Sequence, residues 1–164
     1  MNDVLDVLRT MNIFSGFSDE QLAILEPLVE VCDCRPGEVI FEQDAPADYL
    51  YIVIEGLVAI IYKPEDGTEI TVAQIKPDGV FGWSAAFGSG IYTSGAVCRS
   101  DSRFLRIRGE DLKQLRHTQP ETGLQILRRL ARVVANRLRE THWHEDVVAM
   151  LEDGLTNGVK PIGG

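Results

Sequence analysis

The stretch Phe81-Gly82-Trp83-Ser84-Ala85-Ala86-Phe87-Gly88-Ser89-Gly90-Ile91-Tyr92-Thr93-Ser94 carries residue types suited to holding an anion. Two glycines bracket a run of small residues, and such a run can make one helical turn whose free amides point at a phosphate. Gly82, Trp83, Ser84, Ala85, Tyr92, Thr93 and Ser94 are the candidate pocket residues. No Lys, Arg, Asp or Glu lies between Phe81 and Ser94, so the polar side chains on offer are neutral. The chemistry they support is hydrogen bonding to a small ligand, without the grip of opposite charge.

Other clusters with reactive side chains are weaker. Cys32-x-Cys34 on a strand points two thiols to one face, but no second Cys or His pair has the spacing to close a zinc site. Cys98 reads as a buried strand residue. His142-x-His144, followed by Glu145, falls on a helical pattern where residues two apart face different ways, so no metal is expected. No phosphate loop of the nucleotide-hydrolysing type and no Ser-His-Asp order is present, so no catalytic residue is assigned and the chain is not expected to be an enzyme. Arg128, Arg129, Arg132, Arg137 and Arg139 form a local basic patch, either a solvated helix face or a surface for an acidic partner or a ligand phosphate.

The 164 residues suffice for one domain with a hydrophobic core, and 45% hydrophobic with 25% charged residues is ordinary for a globular protein. A net charge of -9 argues against general affinity for nucleic acid. Three cysteines make a disulfide framework unexpected. The acidic start, MNDVLDVLRTMNIF, lacks the basic flank and apolar run of a signal peptide, and no apolar run is long enough to span a membrane. A cytoplasmic protein is the expectation.

Those candidate residues sit inside a β-rich region flanked by helices. Val4, Leu5, Leu8 and Met11 recur at helical spacing over residues 3–14. Ser18 and Gln21 form a capping box that opens a second helix. Strands are predicted at Val29–Cys34, Val39–Glu42, Tyr49–Glu55, Leu57–Tyr62, Glu69–Ile75, Ala96–Ser100 and Ser102–Ile107, separated by Gly, Pro and Asp punctuation. Asp66-Gly67 is a hairpin signal. Glu110–Thr118 is a short helix, and Pro120 opens a long one running to about Glu152. On it Leu124, Leu127, Ala131, Val134 and Leu138 alternate at steps of three and four, a heptad seam. Ile126, Leu130 and Val133 make a second row for the domain's own core. Leu127, Ala131, Val134 and Leu138 are therefore the candidate dimer-interface residues.

The segment Ile40-Phe41-Glu42-Gln43-Asp44-Ala45-Pro46-Ala47-Asp48-Tyr49-Leu50-Tyr51-Ile52-Val53-Ile54-Glu55-Gly56 resembles the signature of cyclic-nucleotide-binding domains, the effector domains of the catabolite-activator and fumarate-nitrate-regulator families. Asp66-Gly67, Pro77-Asp78-Gly79-Val80-Phe81-Gly82 and Phe104-Leu105-Arg106-Ile107 continue it in order. The resemblance covers residues 8 to about 150. It implies a mainly β fold with flanking α: an antiparallel β-roll (a double-stranded β-helix, jelly-roll-like) with N-terminal helices and a long C-terminal helix that lids the pocket and often dimerises. The implied organisation is 1–118 for the N-terminal helices and β-roll effector domain, 119–153 for the lid and dimerisation helix, and 154–164 for a flexible tail. Gly37, Gly56 and Gly67 stand at turns where positive φ is expected. Asp44 replaces a family glycine and tolerates the same backbone.

The family's phosphate-binding cassette begins Phe-Gly-Glu, with the Glu accepting from a ribose hydroxyl. An Arg nine residues later grips the cyclic phosphate. Here the Glu position is Trp83 and the Arg position is Tyr92, followed by Thr93. Trp83 and Tyr92 either pack the core or retune the pocket for another molecule. The resemblance thus implies a regulatory small-ligand-sensing domain that does not hold cyclic AMP or cyclic GMP in the usual way. The alternative is a ligand-free dimerisation and interaction scaffold that keeps the fold. No cofactor is predicted, and a cyclic nucleotide or another small metabolite is the ligand class left open. A homodimer through the C-terminal helix and a protein partner in trans are expected, with no nucleic acid and no membrane. Residues 154–164 are too few for the helix-turn-helix domain that follows this helix in the transcription-factor branch.

Overall fold

The computed structural model describes residues 4–87 and 90–138. Helix α1 (Val4–Thr10) and a 3-10 turn (Asn12–Phe14) fill the first helical stretch. Ser18 caps α2 (Asp19–Leu25): its hydroxyl accepts from Gln21 N–H, and the Gln21 side chain accepts from Ser18 N–H. The strands follow as β1 (Val29–Cys34), β2 (Val39–Phe41), β3 (Tyr49–Glu55), β4 (Val58–Tyr62), β5 (Ile70–Ile75), β6 (Val80–Phe81), β7 (Gly95–Cys98) and β8 (Ser102–Arg108). Helices α3 (Gly109–Thr118) and α4 (Pro120–Leu138) complete the described chain.

Two antiparallel sheets face each other. One has the order β1-β8-β3-β6, the other β2-β7-β4-β5. This is the β-roll with flanking helices that the family resemblance implied. The alternation along β3 and β8 explains both faces of the first sheet. Tyr51 and Phe104 point toward the second sheet, where Phe41 of β2 lies 5.7 Å from the Tyr51 ring; Phe81 of β6, in their own sheet, packs edge-on to Phe104 at 6.0 Å. Leu50, Ile52, Leu105 and Ile107 point the other way and are buried. Helix α1 packs on β1, α3 on β8 and α4 on β6.

The predicted strands match to within a residue or two. The short strand Val80–Phe81 was not predicted, because two residues carry no readable alternation. The hairpin between β4 and β5 forms, with Tyr62 opposite Ile70, but its connection is longer than a two-residue turn. Gly37 and Gly56 have φ of +87° and +99°. Gly67 does not have positive φ. Its need is space, since an added Cβ would lie 2.8 Å from Pro64 Cγ. Asp44 adopts φ 69° in the position where the resemblance places glycine.

The two rows predicted on α4 divide differently from the expectation. Ile126, Leu130 and Val134 are buried in the domain's own core, Val134 at 1% exposure. At about 100° per residue, Val134 lies only about 80° round the helix from Ile126, still on the inward side. Leu127, Ala131 and Val133 are partly buried at the edge of the same core, and Leu124 is 41% exposed. The Leu138 side chain, the stretch 139–153, the histidines at 142 and 144, and the tail lie outside the described residues.

Candidate functional site

The cassette begins with a sharp change of direction at Gly82, whose φ and ψ are 72° and 27°. A side chain there would be strained and would also be crowded. A Cβ would sit 3.0 Å from Tyr51 Cδ2, 3.1 Å from the Tyr49 carbonyl oxygen and 3.2 Å from Phe41 Cε2. Trp83–Ala85 then form one 3-10 turn, closed by Ala86 and Phe87 N–H donating to the Trp83 carbonyl at 2.9 and 2.8 Å. The turn rests on the start of α3: a Cβ on Gly109 would overlap the Ala85 carbonyl oxygen and lie 2.6 Å from its carbon.

The far arm of the cassette is fixed by its backbone. Tyr92 N–H donates to the Ala45 carbonyl at 3.0 Å, and Asp44 N–H donates to the Tyr92 carbonyl at 2.8 Å. Ala47 N–H donates to the Gly90 carbonyl at 2.7 Å, beside an isolated bridge between Pro46 and Ile91. The left-handed Asp44 turn is what lets this short segment lie along Gly90–Tyr92.

Gly82 and Tyr92 meet at the Phe41 ring, and most of the candidate residues are closed in. Trp83 is fully buried at 0% exposure, and Tyr92 is 3% exposed. Ala85 and Ser94 are buried, while Thr93 is partly buried. Ser84 is 2% exposed, and among the described residues nothing hydrogen-bonds to its Oγ.

Tyr92 is held by three groups that sequence reasoning missed. Its ring stacks on Phe41 with centroids 3.6 Å apart and planes at 10°. Its hydroxyl donates to the Tyr49 carbonyl at 2.6 Å and accepts from Tyr49 N–H at 3.2 Å. Tyr51 stacks on Phe81 at 4.9 Å and continues the cluster. Burial is the main reason the Tyr92 and Tyr51 phenols titrate above the ordinary tyrosine range. For Tyr51 the nearby Arg106 guanidinium partly offsets this. The alternation Tyr49-x-Tyr51 on a strand was the available signal that both rings share one face.

Three arginines lie on β8, and Arg108 stands 5.3 Å from the Tyr49 ring centroid. Arg103 pairs with Asp33 at 2.9 Å on the surface. Arg106 lies beside the tyrosine cluster, 4.2 Å above the Tyr49 ring; its Nη2 pairs with Glu30 at 3.0 Å, while its buried Nε has no partner among the described residues. The two positions where the resemblance places an acid and a guanidinium thus hold a buried indole and a buried phenol, both neutral.

The fold, the cassette and their order along the chain decide the family. Residues 31–119 match the model of the cyclic nucleotide-binding domain. This chain belongs to that family. It is 31% identical over 137 residues to a CRP-like cAMP-activated global transcriptional regulator of Mycobacterium tuberculosis, an alignment covering 84% of this chain and 59% of that protein. The N-terminal domain of a transcriptional regulator from Streptomyces coelicolor superposes with a TM-score of 0.63 at 31% identity, covering 84% of this chain and 95% of that one. The catabolite activator protein of Thermus thermophilus gives a TM-score of 0.66 at 26% identity, over 84% of this chain and 63% of that one. These relatives are regulators, and the chain spans about three fifths of the length of the Mycobacterium protein it matches. No described helix is long and apolar enough to cross a membrane.

Proposed function

We propose that this domain is a regulatory sensor of a small, neutral or weakly charged ligand, and that it does not hold cyclic AMP or cyclic GMP by the acid and arginine typical of its family. The observation that carries this reading is the Tyr92 clamp. A phenol hydrogen-bonded both ways to the Tyr49 backbone, and stacked on Phe41, fills the position from which a guanidinium would grip a phosphate. Trp83, fully buried, fills the position of the acid. Each lost charge-assisted hydrogen bond is worth about 1.5–3 kcal/mol, so losing two lowers affinity for a cyclic nucleotide by roughly two to four decades. The unpartnered Ser84 Oγ supports a ligand that brings a hydrogen-bonding group to the cassette.

The output runs through the helices that rest on the cassette. Gly109 of α3 abuts Ala85, and α4 packs on β6, the strand that leads into Gly82. A ligand that spreads the 3-10 turn must therefore shift α3 and α4. Helix α4 passes that shift to a second copy along Leu124, Leu127 and Ala131.

Thermal melts against cyclic AMP, cyclic GMP and a panel of uncharged and weakly anionic metabolites test the reading. A bound ligand at a hundredfold excess over Kd adds about 2.7 kcal/mol, a shift of roughly 5–10 °C for a domain of this size. The expected result is no shift with either cyclic nucleotide and a shift with at least one panel compound. A shift of that size with cyclic AMP overturns the ligand assignment. No shift with any compound overturns sensing and favours the scaffold.

A further inference from the structure

Cys34 ends β1 in the first sheet, and Cys98 ends β7 in the second. The turn Arg35-Pro36-Gly37-Glu38 between β1 and β2 is tied to Cys98 by two backbone hydrogen bonds. Gly37 N–H donates to the Cys98 carbonyl at 2.8 Å, and Cys98 N–H donates to the Glu38 carbonyl at 2.9 Å. Glu38 joins the two ends: its carboxylate lies 3.7 Å from Cys34 Sγ while its carbonyl accepts from Cys98 N–H, and the two thiols are neighbours. Both are free thiols in the core between the sheets. Strand alternation alone pairs Cys32 with Cys34 on one face. The fold instead gives Cys34 a neighbour 64 positions further along the chain.

The two thiols differ in access. Cys98 is fully buried. Cys34 borders a cleft of about 340 Å³ that it lines with Asp33, Arg35, Glu38, Asp101 and Ser102. A small reagent entering this cleft meets Cys34 first, with Cys98 behind it.

We propose that Cys34 and Cys98 form an oxidative modification site, at which a peroxide joins the two sheets by a disulfide. In the first step the Cys34 sulfur attacks a peroxide oxygen. The O–O bond breaks, Cys34 becomes a sulfenic acid, and water (or an alcohol) leaves with the thiol proton. In the second step the Cys98 sulfur attacks the Cys34 sulfur, the S–O bond breaks, and a second water leaves. The pair loses two electrons and two protons, and the peroxide is reduced. Strand β7 follows directly on Tyr92–Ser94, so the cross-link anchors the strand that leaves the cassette.

The surroundings set the rate. Burial first, then the Cys98 thiol and the Glu38 carboxylate at 3.7 Å, push the Cys34 thiol up to about 12. The thiolate is the reactive form, so oxidation is slow at neutral pH and accelerates as pH rises. Removing the Glu38 charge lowers that barrier to ionisation.

The test uses the whole purified chain treated with hydrogen peroxide, quenched with iodoacetamide and mapped by mass spectrometry. The expected product has lost two hydrogen atoms, alkylates only at Cys32, and yields a peptide linking Cys34 to Cys98. Its melting temperature rises on the order of 10 °C and returns with dithiothreitol. Cys32→Ser forms the same link, and Glu38→Gln forms it faster. A link between Cys34 and Cys32, a link between two chains, or sulfinic acid at Cys34 with no link overturns the proposal.

Discussion

Tyr92 performs a structural task at the position from which its family's arginine reaches a phosphate. Its hydroxyl satisfies both the N–H and the carbonyl of Tyr49, so the phenol acts as a rung between the cassette and β3. Tyr92→Phe keeps the stacking on Phe41 and removes the rung together with the hydroxyl's contact with Tyr51. The expected loss is about 1–3 kcal/mol in urea denaturation, because the Tyr49 groups stay buried without that partner. A change within error would show that the rung carries no stability. The same residues set an alkaline limit. The Cys34 thiol is raised from 9.0 to about 12 in the folded state, mainly by burial, and the Tyr92 phenol is raised as well. The folded state thus retains protons that the unfolded chain releases. Stability is full below about pH 9 and falls as the pH climbs toward 12. Tyr92→Phe flattens the part of that decline above about pH 10, a slope that denaturation series at stepped pH measure. At this scale the sequence was half legible. The neutral character of Trp83 and Tyr92 could be read from the missing acid and arginine. The partners of Tyr92 could not, because Phe41 and Tyr49 lie more than forty positions away and meet it only through the pairing of the sheets.

The cassette turn and α3 meet without room to spare. Gly109 allows the first turn of α3 to approach Ala85 so closely that any side chain would collide with its carbonyl. Gly109→Ala must push the turn and the helix apart, at a cost of about 3 kcal/mol or more. Backbone amide shifts should then change together at residues 83–87 and 109–113. Changes confined to the helix would argue that the cassette and α3 are not mechanically joined. The elements themselves were largely readable. The Ser18–Gln21 capping box, the turn residues that bound β3 and β8, and Pro120 at the start of α4 each act through near neighbours, and each stands in the fold. The burial of Val134 was not readable from the heptad pattern. A seam at steps of three and four and a core stripe differ by a fraction of a turn, and the packing of α4 on β6 decides between them.

The molecule as a whole joins a closed, neutral cassette to a helix with an uncovered edge. Leu124 is 41% exposed on α4, and Leu127 and Ala131 lie beside it, partly buried. Pairing of two α4 helices along this edge predicts a scattering mass of two chains. Leu124→Glu is expected to return it to one. A wild-type mass near 18.2 kDa contradicts the dimer. The fold class was legible because the turn residues and strand spacings are local and occur in the family's order. The ligand was not, since a missing charge leaves open what is bound. The most direct test is isothermal titration of the full chain with cyclic AMP. The account predicts no saturable heat at concentrations up to the millimolar range. Stoichiometric binding with a micromolar or tighter Kd would contradict the proposed loss of the phosphate grip at Trp83 and Tyr92.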